Sequence, residues 1–268
     1  MTDDRTYLRS TFDSVAGAYA DARPTYPAEL VDALVAATGI GPGSRLLEVG
    51  CGPGTATLPL ARLGCRITAV ELGDGLAAEA RRRLAAYPDV DVVTGSFESW
   101  PPGEHVFDLV YAATAWHWVD PDVRYRRAHD VLRPDGHLAF WRADHVRPVG
   151  GDPFFEDIQE VYDEIGEGLP EDHVFAAPGE LPEQTAEIEG SGLFRVSAVR
   201  HLDWETTYDA EAYLALLDTF SGHIAMASPA RDRLYGEIRR RLALRPDGRL
   251  MRHWGAVLHV AAPRVHLG

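Results

Sequence analysis

The sequence contains little cysteine. Its 268 residues include only Cys51 and Cys65, and no Cys-x-x-C pair. Two cysteines do not make a disulfide framework for a chain of this length, and the missing pair argues against a structural zinc site. We therefore expect a cytoplasmic protein, in a reducing compartment, with no metal site.

The sequence also lacks long hydrophobic runs. Its longest apolar stretches, residues 30–37 and 255–263, are well short of the roughly 20 residues that a membrane-spanning helix needs. The first ten residues include four charged side chains and no apolar segment, so we expect no secretory signal there. We predict a protein that is neither inserted in a membrane nor exported through a secretory signal.

Positive charge is scarce as well. Lys and Arg together number 26 against 41 Asp and Glu, which gives a formal net charge of -15. Such a surface repels a polyanion over much of its area, so a nucleic-acid partner is disfavoured. A hydrophobic content of 46% is that of a globular protein with a real core. We expect a small-molecule partner and a monomer or homodimer.

Short apolar runs alternate with helical segments between residues 45 and 141. Strands are predicted at residues 45–49, 66–72, 90–94, 107–112 and 136–141. The helices predicted between them cover residues 55–62, 74–86 and 122–131. This alternation is typical of βαβ units around a parallel sheet, so we predict an α/β fold.

A glycine-rich turn, GCGPG at residues 50–54, follows the first predicted strand and precedes a helix. Missing side chains let a ligand approach the backbone, and the helix offers its first amides. The dinucleotide fingerprint requires glycine where this chain has Thr55, and the P-loop requires a lysine that does not follow Gly54. The spacing therefore disfavours both an NAD site and a P-loop.

Glu48 lies two residues before the first of these glycines. A carboxylate beside the loop repels a pyrophosphate and attracts an ammonium group. The loop therefore favours a cationic nucleoside that carries an amino acid. S-adenosylmethionine (SAM), with its ammonium and sulfonium centres, has this composition.

These segments resemble class I SAM-dependent methyltransferases, in the group that includes ubiquinone/menaquinone-biosynthesis and trans-aconitate methyltransferases. The similarity is strongest at residues 47–54, 69–72, 107–110 and 131–138. The resemblance implies a Rossmann-like, doubly wound, mostly parallel sheet with an antiparallel last strand, N-terminal helices and a helical cap. It also implies SAM as cofactor and S-adenosyl-L-homocysteine (SAH) as product.

The resemblance divides the chain into four parts of one catalytic unit. Residues 1–40 form N-terminal helices that cover the cofactor, and residues 41–150 form the SAM-binding core. Residues 151–194 are an acidic variable segment, and residues 195–268 hold the last two strands with a helical insertion at 208–245. We predict helices near 12–20, 28–37, 153–164, 182–191, 208–220 and 229–244, and strands at 195–206 and 254–262.

The resemblance also assigns roles to single residues. Glu71 accepts hydrogen bonds from the ribose hydroxyls, Leu72 packs near the adenine, and Phe97 stacks on it. Ser96 stands where the family usually has an Asp. The full predicted cofactor-binding set is Tyr19, Arg23, Glu48, Gly50, Cys51, Gly52, Gly54, Thr55, Glu71, Leu72, Ser96, Phe97, Thr114 and Trp116.

The predicted acceptor pocket contains two tryptophans, Trp116 and Trp118, on either side of His117. His117 is the candidate general base where the acceptor is protonated at neutral pH. Arg23 is a candidate partner for the methionine carboxylate or for an acidic substrate. Further candidates for the pocket are Tyr162, Phe175, Phe220 and His223.

The predicted function is methyl transfer to an O, N or C atom of a small organic acceptor by in-line displacement. The alternatives are a catalytically silent SAM-binding protein, an RNA methyltransferase and an NAD-dependent oxidoreductase. The sequence does not identify the acceptor.

Overall fold

A computed structural model of the chain describes residues 22–101, 107–170 and 173–264. The helix predicted at residues 12–20 lies outside these ranges. The strands are β1 (Arg45–Val49), β2 (Arg66–Glu71), β3 (Val90–Thr94), β4 (Phe107–Ala113), β5 (Leu132–Trp141), β6 (Ala143–His145), β7 (Phe194–Asp209) and β8 (Arg249–Pro263).

These strands form one sheet in the order β3-β2-β1-β4-β5-β8, and β7 closes the far edge of β8. The first five strands are parallel to their neighbours, whereas β8 runs antiparallel to β5, β6 and β7. The short β6 continues the line of β5 along the same edge of β8. The predicted α/β, mostly parallel sheet with an antiparallel last strand is confirmed.

The helices surround the sheet. They are α1 (Ala28–Thr38), α2 (Thr57–Arg62), α3 (Asp74–Arg83), α4 (Arg124–Val131), α5 (Phe154–Asp157), α6 (Gln159–Glu164), α7 (Thr185–Gly190), α8 (Ala210–Leu217), α9 (Ser221–Ala225) and α10 (Ser228–Ala243). Gly39, with φ of 69°, ends α1 in a left-handed cap that glycine adopts without strain. No helix in the described ranges has the length and apolarity needed to cross a membrane.

The core lies on both faces of the sheet. Successive residues of a strand point to opposite faces, so Leu46 packs with α1 on one side and Leu47 packs with α4 on the other. Four of the five β1 residues are buried, as expected for a parallel strand covered by helices on both faces. A third cluster joins α5, α6, α8 and α10 to Trp254 on β8.

Most predicted elements lie within a few residues of their positions in the structure, and the differences have local causes. β8 begins at Arg249 rather than 254. Exposed and buried residues alternate over its first residues, as in a strand with one buried face, and Arg252 is buried there although it is charged. The helix predicted at 208–220 begins at Ala210, where the Asp209 carboxylate accepts the Ala212 N–H and caps it. The short β6 has no signal in the sequence.

Leu34 tests the packing of α1 against the sheet. Its side chain is fully buried in the core, so Leu34→Ala should leave a cavity and lower the free energy of unfolding by about 3 kcal/mol. Urea denaturation measures this loss. Leu244→Ala is the control, because Leu244 is 74% exposed and its truncation should change stability by less than about 0.5 kcal/mol. Equal effects of the two substitutions would contradict the packing described.

Candidate active site

The glycine loop after β1 combines unusual backbone angles with close packing. Gly50, Gly52 and Gly54 have φ of 68°, 54° and 83°, in the left-handed region that other residues rarely adopt. A Cβ on Gly50 would lie 2.7 Å from the Cβ of Ala115, whereas one on Gly52 would meet no atom within 4 Å. Gly50 is thus required by packing, and Gly52 leaves space that a ligand can use.

Glu71, the last residue of β2, connects two loops. Its Oε2 accepts the N–H of Gly52 at 2.8 Å, and its Oε1 accepts the N–H of Gly73 at 3.0 Å. The side chain is 8% exposed and lines a cavity beside the glycine loop. A carboxylate has about four acceptor positions, so it can hold both loops and still accept hydrogen bonds from a ligand.

Glu48 is fully buried behind the glycine loop. Its Oε2 accepts the hydroxyl protons of Thr57 and Tyr111, each at 2.6 Å, and its Oε1 is buried with no hydrogen-bond partner. Burial raises the pKa of Glu48 from 4.5 to about 7, against the lowering effect of these two hydrogen bonds. The carboxyl group is therefore poised to change charge near neutral pH.

Glu48→Gln should expose this titration in the stability of the protein. Because the folded-state pKa of about 7 exceeds the ordinary 4.5, the wild type loses stability as the pH rises through this window, by up to about 3 kcal/mol. The variant lacks this loss. The free energy of unfolding of the variant minus that of the wild type should therefore grow from pH 4.5 to 7 and then level off. Urea unfolding at several pH values measures it, and a constant difference would contradict the shifted pKa.

A cavity of about 320 Å³ opens at the carboxyl ends of the parallel strands, where ligands bind in open α/β sheets. Ten of the predicted site residues line it: Arg23, Gly50, Cys51, Gly52, Thr55, Glu71, Leu72, Phe97, Thr114 and His117. Tyr19 lies outside the described residues, and its role stays a prediction.

Four predicted residues, Glu48, Gly54, Ser96 and Trp116, do not line the cavity. A Cβ on Gly54 would lie 2.9 Å from Leu84, so this glycine serves packing. The Ser96 hydroxyl donates to Glu98. Trp116 is buried and stacks on Phe140 with ring centroids 5.4 Å apart. These residues support the wall of the cavity from behind.

The end of β4 is strained at the cavity. Thr114 has φ of 56° and is the non-glycine residue with positive φ among those the structure describes. Its Oγ1 is 2.9 Å from the Tyr26 hydroxyl, and its N–H donates to the Trp141 carbonyl at 2.7 Å. These contacts hold the strained residue in place, and strain of this kind is concentrated at functional sites.

His117 lies on a single 3-10 turn, Trp116–Trp118, with its ring 4.9 Å from that of Trp118. Burial, followed by the charges of Arg142, Arg124 and Arg23, lowers the pKa of His117 to about 4. The imidazole is therefore neutral at pH 7. A base with so low a pKa takes a proton only weakly.

The cavity also includes functional groups that the sequence prediction missed. Arg142 directly follows β5 and Asp144 lies on β6, and their side chains form an ion pair at 3.2 Å. Arg252 and Trp254 lie on the first half of β8. The predicted strand began at residue 254, so it left out Arg252 and included Trp254 without assigning it to the site. Arg142 could have been predicted as a site residue, because it directly follows a predicted strand. Arg252 could not, because its place at the cavity depends on the antiparallel direction of β8.

Of the four residues predicted for the acceptor pocket, Phe220 lines the cavity. Tyr162 and His223 lie behind it, with the Tyr162 hydroxyl 2.9 Å from His223 Nε2. Phe175 instead packs against Arg147, whose Cζ lies 3.8 Å from the centroid of the Phe175 ring. Within the described ranges, no group of three or more His, Cys, Asp or Glu residues is arranged to hold a metal ion.

Comparisons with known proteins identify a methyltransferase domain in this chain. Residues 47–140 match the family model described as a methyltransferase domain. A Mycobacterium tuberculosis protein named as an uncharacterized methyltransferase is 29% identical over 248 residues, 92% of this chain and 91% of that protein. The malonyl-[acyl-carrier protein] O-methyltransferase of Enterobacter lignolyticus is 36% identical over 136 residues, 47% of this chain and 52% of that protein.

Among solved structures, a type II methyltransferase from Anaeromyxobacter dehalogenans has a TM-score of 0.63 at 24% identity. The match covers 90% of this chain and 97% of that one, and it shows a common fold. Together with the family match, it confirms the class I methyltransferase resemblance. The protein is a methyltransferase.

Gly50 and Gly52 should respond differently to alanine. Gly50→Ala forces a collision with Ala115 as well as backbone strain, so it should lower the free energy of unfolding by at least about 2 kcal/mol. Gly52→Ala adds strain of about 1 kcal/mol but places its Cβ in open space at the cavity, so it should mainly weaken SAH binding. Thermal unfolding and calorimetric titration with SAH separate the two. A Gly50→Ala protein as stable as the wild type would contradict this packing.

Proposed function

We propose that the protein binds SAM in the cavity beside the glycine loop and methylates a small organic acceptor held at the opposite end. The observation that carries this proposal is the placement of the Glu71 carboxylate at the cavity wall beside Gly52, whose missing side chain leaves open space. This arrangement fits a nucleoside with a ribose diol next to the loop.

The cofactor-binding residues are proposed from this placement. Glu71 accepts hydrogen bonds from the two ribose hydroxyls, because a carboxylate presents two oxygens to a vicinal diol. Leu72 and Phe97 line the cavity next to Glu71 and provide apolar surface for the adenine. Ser96 is directed to Glu98 instead, so a direct contact of Ser96 with the adenine is not part of the proposal.

When bound, SAM supplies an electrophilic methyl group on a sulfonium. The protein's task is then to align the acceptor with that methyl group in a water-poor space. The aromatic side chains of Tyr26, Trp118, Phe220 and Trp254 line this part of the cavity and exclude water. Tyr26 is positioned by its contact with Thr114, which links the segment before α1 to the end of β4.

His117 remains a predicted catalytic residue. Its neutral imidazole faces the cavity and has a lone pair for an acceptor proton, but a pKa of about 4 limits its strength as a base. An acceptor that is already deprotonated at pH 7 fits this environment better than an alcohol or phenol. The atom that receives the methyl group is an O, N or C atom of that acceptor.

We also propose that the four parts of the chain act as one catalytic unit. The cavity takes Arg23 from residues 1–40, the glycine loop from residues 41–150, and Phe220 and Arg252 from residues 195–268. Residues 151–194 contribute no described lining residue, so we propose a supporting role for them.

Glu71→Gln tests the cofactor assignment. The substitution keeps the size of the side chain and one acceptor oxygen but removes the charge and one oxygen. Loss of charge-assisted hydrogen bonds worth about 2 kcal/mol should weaken SAH binding about 30-fold, measured by calorimetric titration. The control is Asp74→Asn, an exposed carboxylate three residues further on that does not line the cavity.

Because Glu71 also holds two loops, thermal unfolding of the variant is measured in parallel. Weaker SAH binding by a protein that remains folded is the expected result. Failure of the wild type to bind either SAM or SAH would refute the proposed cofactor site. Unchanged SAH affinity in Glu71→Gln would refute the role of Glu71.

A further inference from the structure

Arg252 is a buried cation with no acidic partner among the described residues. Its side chain lies on β8 and is 8% exposed. None of the ion pairs formed among the described residues includes Arg252, and its Nε is buried without a hydrogen bond. Its one hydrogen bond within the described part of the chain, from Nη1 to the Tyr213 hydroxyl, is long at 3.5 Å. A buried charge of this kind costs stability unless a counter-charge binds to it.

Aromatic rings surround the Arg252 guanidinium. Its central carbon lies 4.4 Å from the Trp254 ring centroid, 5.6 Å from that of Phe220 and 5.8 Å from that of Phe155. These contacts offset part of the cost of burial and hold the guanidinium in place, but they leave its charge unneutralised. Arg252, Trp254 and Phe220 all line the cavity.

A second guanidinium, that of Arg23, also approaches the Phe220 ring. Arg23 lies 4.5 Å from the Phe220 centroid and donates to the Thr219 carbonyl at 3.1 Å. The Arg23 and Arg252 guanidinium groups therefore approach the same Phe220 ring. The only carboxylates among the described lining residues are Glu71, which binds the two loops, and Asp144, which pairs with Arg142.

The histidines around this end of the cavity are neutral. Burial lowers the pKa of His145 to about 2 and that of His223 to about 4, and the charge of Arg252 contributes to both shifts. They therefore add no competing positive charge at pH 7. The positive charge among the rings of Trp254, Phe220 and Phe155 is therefore that of Arg252.

We propose that Arg252 anchors the carboxylate of an acceptor that is a small organic acid with an apolar body. This inference rests on the proposed function and names the substrate class of the same site. A planar carboxylate matches the guanidinium fork, and its single charge balances one unpaired arginine. The aromatic rings of Phe220 and Trp254 pack against the apolar body.

The test compares phenylacetate with its neutral analogue phenylacetamide, both titrated into SAH-loaded protein and followed by ligand-observed NMR. Phenylacetate should bind the wild type at least 10-fold more tightly than phenylacetamide. Arg252→Met keeps the length of the side chain and its packing against the rings but removes the charge, so it should abolish this preference. The matched control, Arg249→Met, removes an exposed charge from the same strand and should retain it.

SAH affinity, measured by calorimetry, separates this inference from the proposed function. It should change less than twofold in Arg252→Met, because Arg252 is assigned to the acceptor and not to the cofactor. A 10-fold loss of SAH affinity would overturn the inference by assigning Arg252 to the cofactor's own carboxylate. No SAH binding by the wild type would instead refute the proposed function.

Three further results would overturn the inference. They are equal binding of phenylacetate and phenylacetamide to the wild type, a preference that persists in Arg252→Met, and binding of benzylphosphonate more tightly than phenylacetate. The last would assign the pocket to a phosphorylated ligand. The thermal unfolding temperature of Arg252→Met should equal or exceed that of the wild type, because the substitution removes an unpaired buried charge that destabilises the folded state.

Discussion

The site depends on the carboxylate of Glu71, which joins the loops that follow β1 and β2. By accepting the N–H groups of Gly52 and Gly73, it fixes the glycine loop against the start of α3. The loop in turn lies against Ala115, where no side chain fits on Gly50. Glu71 and Gly50 together thus connect the ends of three neighbouring strands, β2, β1 and β4, around the cavity.

Charge is divided along the cavity in the way that the two proposed ligands require. The acidic groups, Glu71 at the wall and Glu48 behind it, lie near the glycine loop, where a cationic cofactor is proposed to bind. The guanidinium groups of Arg23 and Arg252 converge on Phe220 at the other end. In the arrangement that we propose, this separation orients the cofactor and attracts an anionic acceptor toward the methyl group.

The sequence was sufficient where the chemistry is local. The glycines at 50–54 directly follow one predicted strand and Glu71 lies near the end of the next, so short motifs identified them. Arg252 and Trp254 were missed because their place at the cavity depends on the direction and register of β8, which pairs Trp254 with both His145 and Trp204. A charged residue in a strand also suggests an exposed face, and here tertiary packing buries it. Glu48 and Trp116 were predicted to contact the cofactor but lie behind the cavity wall for a related reason. Their positions beside a cavity-lining segment do not show whether their side chains point toward the cavity or into the core.

The antiparallel course of β8 has a consequence for how such a protein diversifies. Residues proposed to hold the cofactor come mainly from one stretch, 49–97, whereas the acceptor end is assembled from the segment after β5, the helical insertion and β8. The two groups therefore lie on different parts of the chain. A lineage can therefore acquire a new acceptor through mutations late in the gene while its ancestral cofactor site is inherited unchanged.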